Sequence, residues 1–413
     1  MSLLWKKDEP IITDLLETDV YKILMLNYDF RYYTNTIATF SFINRSDVDL
    51  LKYINLDELR EQLAHVATLR FTPAAIDHLM SWGMFRSHFK TELREMSLTA
   101  PEVSVTVDGK LSVESGGLVT HSSMWEIPTL AIISELYGKG RAKAEGYTEE
   151  QLYKASMDCL LAKADFFNAR PYLKGSQFGL RRRISGPWER KMTEVLLHET
   201  TFLTGVSNVL VAQEFDAEAQ GTNAHQMPMI GYAYARGKSN FDARQSVYKV
   251  LDDWQSLYGQ KALVMLTDAY GSDAFFEQLP DRFVYDWRGF RQDSGDPFAY
   301  GEKVIALCNR YGVDPMEKLI IFSDGLDGEK MDRLYQCFEG RVPARYGVGT
   351  WLSNDTGGLI KPLSLVMKIT SAAGHPTVKL SDNIAKATGD RAEIEVAKRI
   401  FGYTSTFFEK PVY

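Results

Sequence analysis

Cysteine is scarce in this chain: three in 413 residues (Cys159, Cys308, Cys337), far apart and odd in number. That spacing excludes a disulfide framework and a zinc ribbon, and it points to a reducing compartment. No run of 18 apolar residues occurs, so no membrane-crossing helix is expected. The opening MSLLWKKDEP lacks the long apolar core of a secretory leader. A cytoplasmic chain is the expectation. Excess positive charge is missing as well. The formal net charge is −7, and GLRRRIS at 179–185 is the only basic cluster, so no basic stripe exists to hold nucleic acid. Familiar nucleotide and hydrolase signatures are absent too. There is no G-x-x-x-x-G-K-[ST], no H-E-x-x-H and no G-x-S-x-G. GVGTWLS lacks the third glycine of a dinucleotide fingerprint and comes too late to open a βαβ unit.

What is present reads as a large α/β protein. At 45% hydrophobic and 24% charged, the composition is that of an ordinary globular chain, long enough for two or three domains. Residues 1–127 are mixed. TDVYKILMLNYDF is a helix with Thr18 or Asp19 as N-cap, TIATFSFIN alternates as a strand, and NLDELREQLAHVATL is amphipathic and helical. EVSVTVDGKLSVES is a hairpin turning at Asp108-Gly109. After Pro128 the texture changes, and helical patterns alternate with short runs that end in polar residues.

Seven such runs organise residues 128–350. They are SQFG before Arg181, FLTG before Ser207, QGTNA before His225, ALVMLT before Asp268, RGF before Arg291 and Asp293, LIIFS before Asp324, and ARYGVG before Thr350. Strand and helix alternating seven times implies a parallel sheet. A barrel or near-barrel is preferred to an open sheet, because no single strand end dominates the chemistry and such barrels place their sites where the strands end. Residues 351–413, with PLSLVMKIT and TVKLSD, look like strands again and are expected to pack back on the N-terminal region.

Each candidate residue has two readings. Asp296, before Pro297, caps the next helix. Asp293 sits at a strand end with Arg291 two residues earlier and Gly295 nearby, so the pair can hold a ribose diol, a magnesium ion or a phosphate, or form a polar turn. His225 is either a packed histidine or a reactive one. Arg181 belongs to a solvated charge run or faces a phosphate. Tyr346–Thr350 is a turn that needs glycine, or an anion-binding concavity of backbone N–H groups. Asp268 and Asp324 taken singly are helix caps; together with two arginines and a histidine they form a constellation.

Ten segments in register complete the picture: LLETDVYK, WEIPTLAIISE, FGLRRRIS, GVSNVLVAQ, GTNAHQM, LTDAYGSDAF, RGFRQDSGDP, FSDGLD, YGVGTWLSND and KLSDNIAKATGD. The chain closely resembles the nicotinate phosphoribosyltransferase family over almost its whole length. The resemblance implies an irregular seven-stranded parallel α/β barrel, with a mixed α+β N-terminal domain to which the C-terminal segment returns. It implies that nicotinate and phosphoribosyl pyrophosphate give nicotinate mononucleotide and pyrophosphate, with coupled ATP hydrolysis and magnesium. An oxocarbenium-like transition state suits residues that position the ring nitrogen and stabilise departing pyrophosphate.

By the same resemblance His225 is the histidine phosphorylated from ATP, and Arg181 and Arg291 contact pyrophosphate and nicotinate. Asp268 lies near magnesium and pyrophosphate, Asp293 contacts the ribose, and both are candidate magnesium ligands; Asp324 is a further substrate-binding acid. Gly347, Gly349 and Thr350 match the 5′-phosphate turn. Lys368 and Lys386 serve the phosphate or ATP region. Phe178 and Tyr21 sandwich the pyridine ring, Tyr21 coming from the neighbouring subunit of a homodimer. The relative that acts on nicotinamide carries an aspartate where this chain has Ser207. A carboxylate there would repel nicotinate, whereas serine can donate to it. Two alternatives stand beside this reading: another pyridine-specific phosphoribosyltransferase, which Ser207 disfavours, and an inactive metabolite-binding barrel, which the intact set of His225, Arg181, Arg291, Asp268 and Asp293 disfavours.

Overall fold

The computed structural model of the chain describes residues 4–6 and 9–409, so part of the opening decapeptide lies outside the described residues. Two sheets organise it. The first is antiparallel, built from β1 (Ile37–Asn44), β2 (Glu102–Val105), β3 (Leu111–Leu118), β10 (Leu365–Ala372) and the two-residue β11 (His375–Pro376), in the order β11-β10-β1-β3-β2. Along β1 the side chains of Ala38, Phe40 and Phe42 are buried and those between are not. This is the period-two alternation of a sheet with one covered face. β2 and β3 form the expected hairpin, with Gly109 at φ +77° in its turn. β10 runs antiparallel to β1, from Ala38↔Ala372 to Asn44↔Leu365. The late strand therefore returns to the N-terminal sheet, as its sequence suggested.

The second sheet is parallel: β4 (Gly175–Gln177), β5 (Leu203–Val206), β6 (Val264–Leu266), β7 (Gly289–Gln292), β8 (Leu319–Phe322) and β9 (Ala344–Val348), in the order β5-β4-β9-β8-β7-β6. These strands are short and mostly buried along their length, as parallel strands covered by helices on both faces are. Six ladder strands stand where seven were expected. QGTNA is not a strand. The chain there makes one bridge, Val206↔Ala219, flanked by Val206 N–H to Glu218 O (2.9 Å) and Gln220 N–H to Val206 O (3.0 Å). It then bends over the start of helix α1 (Val20–Tyr32), where a Cβ on Gly221 would stand 2.8 Å from Val20 Cβ. Its link to β6 is a side chain, Asn223 Nδ2 donating to Val264 O at 3.4 Å. Among the described residues the parallel ladder therefore runs over six strands, with β5 and β6 at its two edges.

TVKLSD is also not a regular strand. Leu380 N–H donates to Ala269 O (2.8 Å), which docks the segment at the end of β6, and Lys379 bridges Thr388. Ser381 adopts φ +70°, a left-handed conformation that L side chains seldom take. α1 lies buried along its first ten residues, with Lys22, Asn27 and Asp29 among them. No helix among the described residues is long and apolar enough to cross a membrane.

One buried ion cluster fixes the N-terminal segment to the parallel sheet. Arg183 is fully buried, and its Nη1 donates to Glu17 Oε1 (2.7 Å) and Glu189 Oε2 (2.8 Å). Glu189 also accepts from Gln177 (3.0 Å) and Asn208 (3.0 Å). Removing one partner from such a cluster leaves charges buried and unmatched, at a cost of roughly 3–5 kcal/mol. Arg183→Met is therefore expected to lose about that much stability, read as a lower denaturant midpoint. A loss under about 1 kcal/mol, the size typical of an exposed pair, would show that the cluster does not hold the segment.

Candidate active site

The C-terminal ends of the parallel strands open into one cavity of about 450 Å³. Phe178 and Arg181 reach it after β4, Arg291 and Asp293 from the end of β7, Ser323 and Asp324 after β8, and Gly349 and Thr350 after β9. Eight lysines and arginines line the cavity against four aspartates. In a chain of net charge −7, that concentration of cations marks a site for a polyanion.

Asp293 lines one wall, and His225 and Asp268, which do not line the cavity, lie buried behind it. His225 precedes the helix Gln226–Arg236, and its Nε2 lies 2.7 Å from Asp268 Oδ1 and 3.9 Å from Asp293 Oδ2. Asp268 Oδ2 accepts from Ser294 Oγ (2.5 Å) and Ser381 Oγ (3.3 Å), with Lys379 Nζ at 3.8 Å. Asp268 thus caps no helix. Burial lowers the His225 pKa to about 4, helped by the Lys379 charge. Burial opposes ionisation of Asp268, but His225, Lys379 and Ser294 overcome it and hold the carboxyl well below its usual range. At neutral pH the pair is a neutral imidazole donating to a carboxylate, which places the ring proton on Nε2. Asp293 is held low in the same way, by Arg291 against burial. Arg291 is fixed from every side: Nη2 to Asp293 Oδ1 (2.6 Å), Nε to Ser323 Oγ (2.9 Å), and Nη1 to Thr222 Oγ1 (3.0 Å) and Asn223 O (3.1 Å).

The lysines come from the returning C-terminal segment. Lys368, on β10, is buried deeply enough to bring its pKa down to about 7. Lys386 pairs with Asp324 and also donates to Asp293 O (3.3 Å). Burial raises the pKa of Asp324 despite that lysine. Lys379, which sequence reasoning missed, lines the same wall. Arg45 and Arg182, also lining it, were not singled out as site residues either.

At the other end, Phe178 leans into a gap left by Gly347. A Cβ there would stand 2.5 Å from the ring, so Gly347, inside β9, makes room for Phe178 and is not part of the turn itself. The turn proper is Gly349–Thr350. Tyr21 of the same chain lies with its ring 5.8 Å from the Arg181 guanidinium. It does not line the cavity of its own chain. Val20 N–H donates to Ser207 O (2.8 Å), which holds the start of α1 against the end of β5. Ser207 Oγ donates to Asp19 Oδ1 at 2.6 Å. The carboxylate that its own turn lacks is therefore supplied from α1. Asp296, as expected, caps the helix Pro297–Arg310, accepting from Phe298 N–H at 2.8 Å.

Fold and site together define an enzyme that holds a polyanionic substrate and an aromatic ring in one strand-end cavity. A model of the nicotinate phosphoribosyltransferase (NAPRTase) family matches residues 173–405, and one of that family's N-terminal domain matches residues 16–134. The chain belongs to this family. Solved structures agree. A nicotinate phosphoribosyltransferase from Porphyromonas gingivalis is 28% identical (TM-score 0.84; 95% of this chain and 100% of that one covered). One from Vibrio cholerae is 29% identical (0.87; 96% and 95%). A putative one from Saccharomyces cerevisiae is 27% identical (0.84; 97% and 100%).

Lys379 disfavours a positive charge on His225. In Lys379→Met the imidazole of metal-free protein should titrate at higher pH than in the wild type, followed by NMR of the ring. An unchanged or lower midpoint would remove Lys379 as a cause.

Proposed function

We infer that this enzyme transfers a phosphoribosyl group from phosphoribosyl pyrophosphate to nicotinate in NAD biosynthesis, and we propose that ATP drives the reaction through phosphorylation of His225. The observation that carries the reading is one cavity lined both by Phe178 and Arg181 and by Arg291, Lys368, Lys379 and Lys386. The first pair suits a pyridine carboxylate, and the second set suits pyrophosphate. With its proton on Nε2 facing Asp268, His225 offers Nδ1 as the nucleophilic nitrogen. Phosphorylation there would add negative charge beside the phosphate wall, and so couple ATP cleavage to affinity. The ribose faces Asp293, and Gly349–Thr350 offers backbone N–H groups to the 5′-phosphate.

Magnesium fits the donor set. His225, Asp268 and Asp293 each offer one ligand atom, all within 4.8 Å of one another, and both carboxylates are held ionised. Asp268 and Asp293 would hold the ion, which would neutralise charge on pyrophosphate. The setting we propose is cytoplasmic. A homodimer belongs to the same reading, with Tyr21 of the neighbouring subunit completing the ring sandwich against Phe178.

Turnover of nicotinate and nicotinamide, each with and without ATP, tests the reading. The wild type is expected to favour nicotinate and to be stimulated by ATP, and His225→Ala is expected to lose the stimulation. Equal or better use of nicotinamide would overturn the substrate assignment, and stimulation that survives in His225→Ala would overturn the phosphohistidine. Ser207→Asp sets a second carboxylate against Asp19. It should raise KM for nicotinate by on the order of tenfold, ~1.4 kcal/mol; unchanged kinetics would remove Ser207 from the pocket.

A further inference from the structure

Behind the pyridine end of the cavity lies a carboxylate with no role so far. Asp19 occupies the N-cap position of α1, yet its side chain caps no helix amide. It is 1% exposed. Oδ1 accepts the Ser207 hydroxyl at 2.6 Å, and Oδ2 lies 3.7 Å from Arg181 Nε. Backbone bonds on both sides, Val20 N–H to Ser207 O (2.8 Å) and Val209 N–H to Thr18 O (2.9 Å), fix the two chain segments together. An N-cap residue whose carboxylate turns away from its own helix towards the cavity-lining Arg181, and towards Ser207 buried just behind the cavity, is placed to act on the pocket.

We propose that Asp19 is a specificity-determining residue of the pyridine pocket, which through Ser207 and Arg181 sets the preference between a carboxylate and a carboxamide at the ring's 3-position. The proposal rests on the nicotinate reading given above. Its physical content is the direction of one hydrogen bond. A serine hydroxyl has one hydrogen. While Asp19 is ionised, that hydrogen goes to Asp19, and Ser207 can offer an incoming substituent only its lone pairs. Lone pairs suit the NH₂ of a carboxamide and oppose a carboxylate. Once Asp19 carries a proton it donates to Ser207 Oγ, and the Ser207 hydrogen turns to a carboxylate oxygen.

Charge acts in the same sense. Arg181 faces Asp19 at 3.7 Å and Glu126 at 3.4 Å, and Glu126 is itself paired with Lys22 at 2.7 Å. Neutralising Asp19 leaves more of the guanidinium field for a substrate anion. The groups that face Asp19 are Arg181 after β4, Ser207 after β5, Glu126 at the start of the helix Glu126–Glu145, Glu189 on the helix Gly186–Glu199, and Tyr21 on its own helix. Burial, opposed by Arg181 and Ser207, pushes the Asp19 carboxyl up to about 6. A carboxylate arriving beside it raises that value further. Nicotinate binding near neutral pH therefore takes one proton from solvent onto Asp19, and nicotinamide binding does not.

Asp19→Asn tests this, because the asparagine NH₂ donates to Ser207 Oγ as the protonated acid does and carries no charge. The sign follows from the raised pKa: the form that favours nicotinate predominates below about 6, so wild-type kcat/KM for nicotinate should fall as pH rises through that value. In Asp19→Asn the fall should flatten, and at pH 8 the nicotinate-to-nicotinamide ratio of kcat/KM should rise by roughly tenfold, ~1.4 kcal/mol. Calorimetry of nicotinate binding in two buffers of different ionisation enthalpy should register proton uptake by the wild type and none by the variant. If Asp19→Asn does not fold, Ser207→Ala decides instead. It keeps Asp19 but removes the shared hydrogen bond, and nicotinate should lose its advantage over nicotinamide at low pH. An active Asp19→Asn with the wild-type ratio and pH profile overturns the proposal, as does a Ser207→Ala protein with the wild-type ratio. A wild type that does not turn over nicotinate at all overturns the underlying reading instead.

Discussion

The carboxylate of Asp268 is the point on which the site depends. It stands just past β6 and gathers His225, Ser294, Ser381 and Lys379, groups drawn from three separate stretches of the chain. A buried carboxylate without partners would take up a proton, so each of those contacts keeps it charged. Its charge in turn orients the imidazole and holds the left-handed turn at Ser381. Through Ser381 and Lys379 it docks the C-terminal segment against the parallel sheet.

Around that point the architecture separates two tasks. The parallel sheet supplies arginines and acids on short strand ends, where backbone ladders fix them closely. The antiparallel sheet contributes Lys368 through β10, and the segment after it brings Lys379 and Lys386. Cations arriving from one element therefore meet carboxylates arriving from another. A cavity wall with so many like charges is tolerable because the acids are interleaved with it, and because burial brings the Lys368 pKa down to about 7.

Much of this was legible in sequence for a simple reason: a parallel strand announces itself as a short apolar run, and its site residue follows directly. Arg181, Arg291, Asp293 and Asp324 were located that way. QGTNA misled because a polar stretch between strands has the same outline as a strand end; only the approach of Gly221 to α1 shows that the chain bends there instead of pairing. Asp19 looked like an N-cap because cap preference is a local property, whereas its actual partner lies 188 residues away. Lys379 carried no local signal at all.

The pairing of β1 with β10 has a consequence for how the protein is made. β1 leaves the ribosome early, and its neighbour on one side does not exist until residues 365–372 have been synthesised. Until then one edge of the antiparallel sheet is open, and the cavity lacks three of the four lysines that line it. Contacts so distant in sequence form late and slowly. The nascent chain therefore carries an unpaired strand edge through most of its synthesis, which is the period when aggregation or a chaperone competes for it.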